Sequence, residues 1–121
     1  MSRNKTALFI IILFFLAIAL ATFYFYKSVA ITGVRLDNFA KCLASKDITM
    51  YGAVWCSHCQ SEKNAFGDSF KYVPYVECPD DPQKCLSLGI TGYPTWILPD
   101  GKRLLGEQGI EKLSQESGCV L

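Results

Sequence analysis

Two cysteines three residues apart carry the most distinctive chemistry of this sequence. Cys56 and Cys59 follow an apolar, strand-like run at residues 48–54 and precede helix-compatible residues at 60–66. The pair is therefore predicted to lie where a buried strand turns into a helix. Cysteines with this spacing share one side of the first helical turn, so their sulfurs can form a disulfide. The pattern indicates a redox-active dithiol.

The two thiols have different predicted roles. Cys56 would lie at the helix N-terminus, where unpaired N–H groups and the positive end of the macrodipole favour thiolate, the nucleophile in disulfide exchange. Cys59, one turn further and more buried, would be the resolving thiol. His58 would stabilise the Cys56 thiolate if it is cationic. The alternative for His58 is an exposed helix residue with little influence.

A second motif supports a fold assignment. Gly92-Tyr93-Pro94-Thr95 precedes the apolar run Trp96-Ile97-Leu98. Together with Trp-Cys-x-x-Cys, this segment resembles the thioredoxin superfamily over residues 36–118. More narrowly, Trp-Cys-x-His-Cys, Pro-Tyr-Val-Glu-Cys and Gly-Tyr-Pro-Thr-Trp resemble the thioredoxin-like domain fused to bacterial vitamin K epoxide reductase homologues.

The resemblance implies an α/β, thioredoxin-like fold, with a central four-stranded mixed sheet and flanking helices. It implies that Pro94 is cis and faces the cysteine pair across a substrate groove with Trp55 and Tyr93 in its walls. An X–Pro bond is the one context in which a cis peptide costs little. An ordinary loop proline is the alternative. No metal or organic cofactor is implied.

Residues near the cysteine pair influence how oxidising the pair is and how Cys59 exchanges its proton. In thioredoxin-like proteins a histidine before the second cysteine accompanies oxidases and isomerases, but Ser57 stands where many strong oxidants carry proline. Met50 occupies the position, six residues before the first cysteine, where thioredoxins and many isomerases have a buried acid. Met50 is expected to pack in the core, and Glu62 could move protons for Cys59 through water.

The N-terminus contains a candidate membrane anchor. Residues 8–26 carry no charge and would form a helix about 28 Å long, close to the roughly 30 Å hydrocarbon core. Aromatic residues at 23–26 resemble an interfacial belt. A cleaved signal peptide is the alternative, although cleavable apolar regions are usually shorter. Arg3 and Lys5 favour a cytoplasmic N-terminus, and the domain would then lie outside.

The chain of 121 residues is long enough for one domain, and its net charge of +1 gives no sign of a nucleic-acid footprint. We predict a cytoplasmic segment at 1–7, a transmembrane signal anchor at 8–26, a tether at 27–35 and the thioredoxin-like domain at 36–121. The predicted elements are a helix at 36–46 capped by Asp37, a strand at 48–54, a helix from 56, a strand at 72–77, a helix at 83–88, strands at 95–98 and 103–105, and a helix at 109–117.

Four further cysteines complete an even set of six, which suggests an oxidising compartment. Cys78 and Cys85 bracket a proline-rich turn and would staple a small loop, or act as a second redox pair. Cys42 and Cys119 could pair with each other or remain thiols. A zinc site made by Cys56, Cys59, Cys78 and Cys85 is a further alternative, although the second spacing is wide for zinc.

These observations predict a membrane-anchored, extracytoplasmic thiol–disulfide oxidoreductase on the oxidising side. Its expected partners are exported proteins with cysteines and a quinone-linked membrane oxidase of the vitamin K epoxide reductase type. The alternatives are a reductase or isomerase with the same site, a disulfide-stapled binding module without turnover, and a zinc-binding domain.

Overall fold

The computed structural model describes the backbone of residues 2–121 and the side chains of residues 4–30 and 35–121. The chain divides into two compact units, one ending at Thr32 and the other comprising Gly33–Leu121. Helix α1, Ser2–Ser45, contributes to both units. The first residue of the predicted cytoplasmic segment 1–7, and the side chains of residues 1–3, lie outside the described part of the chain.

The N-terminal unit consists of the first part of α1. The large apolar side chains between residues 8 and 26 are exposed, from Leu8 at 59% to Tyr26 at 77%. Within the described residues, α1 is the one helix long and apolar enough to cross a membrane. An apolar helix surface that no protein packs against is costly in water, because its side chains remain hydrated. The fold is therefore compatible with the predicted anchor.

The second unit is built on a mixed four-stranded sheet in the order β2-β1-β3-β4. Strand β1 (Thr49–Gly52) is central, pairing with β2 (Tyr75–Glu77) in parallel and with β3 (Thr95–Ile97) antiparallel. Strand β4 (Arg103–Leu105) pairs antiparallel with β3 across the predicted Asp-Gly turn. The predicted α/β class and the four-stranded mixed sheet are confirmed.

Helices flank this sheet. Their bounds are Ser57–Phe66 for α2, Pro82–Ser87 for α3 and Ile110–Ser117 for α4, and a 3₁₀ helix follows α2 at Gly67–Tyr72. The core contains Trp96 of β3 and Phe66 of α2, with ring centroids 6.1 Å apart. Phe39, near the end of α1, stacks on Phe66 at 5.8 Å. Met50 is fully buried, as predicted for a core residue.

Two local features of α1 differ from the predicted elements. The predicted tether at 27–35 is helical throughout, since Gly33 is its only strong breaker and no proline interrupts it. The side chains of 31–34 lie outside the described part. Asp37 is not a helix cap, because α1 already runs through it, and its carboxylate accepts a hydrogen bond from Ser69 at 2.6 Å.

Candidate active site

Cys56 lies at the junction between β1 and α2. Its backbone is extended, with φ −81° and ψ 118°, and it occupies the N-cap position of α2. The preceding turn is closed by a hydrogen bond from the Cys56 N–H to the Ala53 carbonyl at 3.0 Å. Among the described residues no side chain caps this helix, so the half-buried Cys56 lies at the free N–H groups of its first turn. Negative charge is stabilised at such a position.

Cys59 lies one turn into α2 and is fully buried. Burial raises the pKa of the Cys59 thiol to about 11, and a hydrogen bond from the backbone of Ala53 only partly offsets it. The Cys59 thiol also shares a hydrogen bond with Cys56. Both cysteines are free thiols in the structure. The outer sulfur is thus placed for attack, while the inner sulfur is held as a protonated thiol.

The loop before β3 faces the outer cysteine. The Cys56 thiol donates a hydrogen bond to the Tyr93 carbonyl with a sulfur–oxygen distance of 3.6 Å. The peptide bond between Tyr93 and the buried Pro94 is cis. Trp55, 72% exposed, packs edge-on against the Tyr93 ring with centroids 5.8 Å apart. Tyr93, which contacts Trp55 and precedes the cis Pro94, therefore lies against the half-buried sulfur.

His58 lies on the outer face of α2, where its side chain is 70% exposed. Its Nδ1 atom is 3.2 Å from the Glu107 carboxylate. The two residues line a shallow pocket of about 520 Å³ with Gly106, Gln108 and Gly109. Ser57 is exposed beside them. A cationic His58 would have its charge partly balanced by Glu107, which limits its influence on Cys56.

The other four cysteines form two disulfides. Cys78, which precedes α3, is joined to Cys85 of α3 with Cα atoms 5.7 Å apart, and both residues are buried. Cys42 of α1 is joined to Cys119 with Cα atoms 5.9 Å apart. The Cys78–Cys85 disulfide leaves no pair of thiolates to complete a four-sulfur zinc site. Among the described residues, no cluster of His, Cys, Asp and Glu has metal-binding geometry.

A glutamate and a tyrosine on β2 lie beside the cysteines. Parallel pairing sets Glu77 opposite Gly52 and Tyr75 opposite Met50. The Glu77 carboxylate accepts a hydrogen bond from the Val54 N–H at 2.7 Å, and it also accepts one from the Tyr75 hydroxyl. Glu77 thereby fixes the turn that carries Cys56.

Comparison with known proteins supports the redox assignment. No protein family model matches the chain. It is 43% identical over 91 residues to thiol-disulfide oxidoreductase LTO1 of Arabidopsis thaliana. The match covers 68% of this chain and 24% of that protein, so the chain spans about a quarter of the length of its relative. The similarity supports an oxidoreductase.

The structure places Cys56 and Cys59 at the predicted strand–helix junction. Glu62, predicted as a group that could move protons for Cys59 through water, is fully buried. It accepts hydrogen bonds from the backbone N–H groups of Gln108 at 2.8 Å and Gly109 at 3.2 Å. Its carboxylate holds the loop before α4. Tyr75 and Glu77 were not predicted to have a role in the site. Their alternation on a predicted strand next to Cys78 was the available signal.

Proposed function

We propose that this chain is a membrane-anchored thiol–disulfide oxidoreductase that exchanges disulfides through Cys56 and Cys59. The observation that carries the proposal is the asymmetry of the pair. Cys56 is half-buried at a helix N-terminus beside the cis Tyr93–Pro94 peptide, and Cys59 is fully buried behind it. The printed name of the Arabidopsis relative supports the same reaction class.

The proposed fold is thioredoxin-like. The sheet order β2-β1-β3-β4, the cysteine pair at the β1–α2 junction and a cis proline just before β3 support it. The exposed side chains of Val54 (65%) and Trp55 (72%) lie next to Cys56 and offer an apolar surface to an extended substrate segment. Such a surface suits unfolded chains, which expose apolar side chains around their cysteines.

The reaction proceeds by two thiol–disulfide exchanges. In the oxidising direction, a substrate thiolate attacks the Cys56 sulfur of the Cys56–Cys59 disulfide, and the electron pair of that bond moves to Cys59, which takes up a proton. A second substrate thiolate then attacks the substrate sulfur of the mixed disulfide, and Cys56 leaves as thiolate. The substrate gains one disulfide, and the enzyme retains two electrons as a dithiol.

The proposed location is the cell membrane, with residues 8–26 as a single uncleaved span and the domain on the extracytoplasmic side. The exposed apolar surface of α1 and the two disulfides support this arrangement. Extraction of membranes with alkaline carbonate tests the anchor: the chain should remain in the pellet. Release of the intact domain, or a mature N-terminus near Ile31, would contradict it.

The proposed partners are exported proteins with cysteines and a quinone-linked membrane oxidase of the vitamin K epoxide reductase type. The oxidase would accept the two electrons that each substrate leaves on Cys56 and Cys59. The support for this oxidase is the resemblance of the cysteine and proline motifs to thioredoxin-like domains fused to such enzymes.

A trapping experiment tests the activity. Replacing Cys59 with alanine removes the resolving thiol, so Cys59→Ala should accumulate mixed disulfides through Cys56 on non-reducing gels. Cys56→Ala should accumulate none, because its buried Cys59 cannot reach a substrate. Mass spectrometry of the trapped species should identify exported proteins and a membrane oxidase. Equal trapping by both variants would contradict the proposed roles of the two cysteines. Trapping by neither variant would leave a binding module as the better account.

A further inference from the structure

Cys59 presents a proton-transfer problem. Its thiol is fully buried and, with a pKa raised to about 11 by burial, holds its proton at neutral pH. To resolve a mixed disulfide, this sulfur must lose that proton, and when it leaves a disulfide it must regain one. Met50, also fully buried, has no group that can exchange a proton. Glu62 is bound to the backbone of Gln108 and Gly109.

The Cys59 sulfur and the Tyr75 hydroxyl group both lie against the bare face of Gly52. A Cβ atom at Gly52 would lie 2.8 Å from the Cys59 sulfur and 3.3 Å from the Tyr75 hydroxyl oxygen. The two atoms therefore flank the same small space above β1. The Tyr75 hydroxyl donates its own proton to Glu77, which leaves the lone pairs of its oxygen free to accept from a thiol.

The surrounding charges suit a proton path. The ammonium group of Lys63 lies 3.7 Å from the Tyr75 ring centroid and favours the thiolate form of Cys59. Burial and the bond to Glu77 raise the pKa of the Tyr75 hydroxyl, so it stays neutral and can donate and accept at once. The charged and titratable groups around this hydroxyl are Lys63 from α2, Glu77 from its own strand, and the two cysteines.

We propose that Tyr75 and Glu77 form a proton relay for Cys59, a role that rests on the proposed function. During resolution the Cys59 proton passes to the Tyr75 oxygen while the Tyr75 proton passes to the Glu77 carboxylate. The Cys59 thiolate attacks the Cys56 sulfur, the new Cys56–Cys59 bond forms, and the substrate leaves as a thiolate. Half-buried Glu77 returns the proton to solvent, which protonates the released thiolate.

In the opposite direction the same groups work in reverse. Attack of a substrate thiolate on Cys56 sends the electron pair of the disulfide to the Cys59 sulfur. The Tyr75 hydroxyl gives that sulfur a proton and regains one through the Glu77 carboxylate, which takes the proton from solvent. Each cycle therefore moves one proton between Cys59 and solvent without opening the buried side of the site.

A burst experiment separates the relay from the activity itself. The full chain in detergent micelles is reduced until two thiols per chain titrate, and is then mixed with excess 5,5′-dithiobis(2-nitrobenzoate). The first coloured thiolate is released when Cys56 attacks the reagent. The second is released when Cys59 resolves the mixed disulfide. Tyr75→Phe and Glu77→Gln are compared with wild type, with Tyr72→Phe as the matched control.

Tyr75→Phe should slow the second phase about 100-fold at neutral pH and leave the first phase unchanged. Glu77→Gln keeps an amide oxygen that can accept from the Val54 N–H, so it should slow the second phase by a similar factor and the first phase much less. The second phase of both variants should rise in proportion to hydroxide as the pH increases, because the thiolate must then form unaided. The double variant with Tyr75→Phe and Glu77→Gln should have a second phase no slower than that of the single variants. Tyr72→Phe should match wild type in both phases.

The possible failures are distinct. An unchanged second phase in both variants would overturn the relay, and so would parallel slowing of both phases, since Glu77 would then act only by holding the Val54 N–H. Loss of the second phase in the control Tyr72→Phe would also overturn the relay. If wild type itself shows no second phase, the dithiol does not cycle, and the proposed function fails.

Discussion

Gly52 lies directly against the sulfur of Cys59: a Cβ atom on Gly52 would be 2.8 Å from that sulfur and 3.2 Å from the Tyr75 ring. Such distances are well inside van der Waals contact, so even one methyl group requires the sulfur or the ring to move. The residue before the active-site turn thus sets how closely the resolving thiol and the β2 side chains approach each other.

Gly52→Ala should therefore disturb the site more than the fold of the sheet. We expect a loss of about 1–3 kcal/mol in the free energy of unfolding, the usual cost of overpacking, together with slower resolution by Cys59. Denaturant titration and the two-phase burst experiment measure the two effects. Ser61→Ala, a change on the exposed face of α2, is the control. If Gly52→Ala keeps the stability and the second-phase rate of wild type, the space between Gly52 and the Cys59 sulfur is larger than these distances indicate.

The two disulfides should contribute unequally to stability. Cys42–Cys119 closes a separation of 77 residues and Cys78–Cys85 one of 7. Because a longer closed loop removes more entropy from the unfolded chain, replacing the first pair with alanine should cost about 4 kcal/mol and replacing the second about 2 kcal/mol. Denaturant unfolding monitored by the fluorescence of buried Trp96 compares the double variants. The reverse order would contradict the loop-entropy account.

The sequence was sufficient to predict the elements that carry the cysteines. An apolar run followed by Cys56 and Cys59, and a Gly-Tyr-Pro-Thr segment before a second apolar run, are local patterns, and local patterns define a strand–turn–helix unit well. The short spacing of Cys78 and Cys85 likewise indicated that these two cysteines pair with each other. Cys42–Cys119 was one of several pairings that remained open, because it depends on packing between distant parts of the chain.

Side-chain roles that depend on register were not predictable in this way. Glu77 reaches Val54 only because β2 pairs with β1 in parallel and in one particular register. The position of Glu62 on the helix suggested that it could move protons for Cys59. Its carboxylate instead accepts a hydrogen bond from the backbone of a loop 46 residues away. Residues 27–35 are helical although they contain Gly33, because one glycine lowers the stability of a helix without ending it.

Glu62 should make the stability of the domain depend on pH. Burial raises the pKa of its carboxyl from the ordinary value of 4.5, so the folded chain holds the proton at pH values where the unfolded chain has lost it. This stabilisation is complete below about pH 4.5 and is lost as the pH rises through the raised pKa. The unfolding free energy of wild type relative to Glu62→Gln should therefore fall as the pH rises through that window.

Denaturant titrations at a series of pH values measure this difference. Glu111→Gln, an exposed acid in the first turn of α4, provides a control whose difference from wild type should stay nearly flat. A wild-type advantage that grows with pH would mean that hydrogen bonds to the ionised Glu62 outweigh its burial.

His58 should tune the redox couple only weakly. Its imidazole is exposed and lies 3.2 Å from Glu107, so solvent and a neighbouring negative charge reduce its effect on Cys56. His58→Pro should make the couple less oxidising by no more than about 30 mV, equivalent to about 1.4 kcal/mol for two electrons. Equilibration with glutathione measures the shift, with Ser57→Ala as the neighbouring control. A shift of about 60 mV or more would show that the imidazolium acts on the sulfur despite Glu107.

The reduction potential of the Cys56–Cys59 couple tests the central claim most directly. The full chain in detergent is equilibrated with glutathione buffers of several ratios, and the oxidised fraction of this pair is measured after alkylation. We predict one reversible two-electron transition with a midpoint at least about 30 mV above the roughly −270 mV of thioredoxin, as expected for a pair on the oxidising side. A midpoint at or below about −270 mV would contradict the oxidising assignment, and a pair that does not interconvert at any ratio would contradict the proposed activity itself.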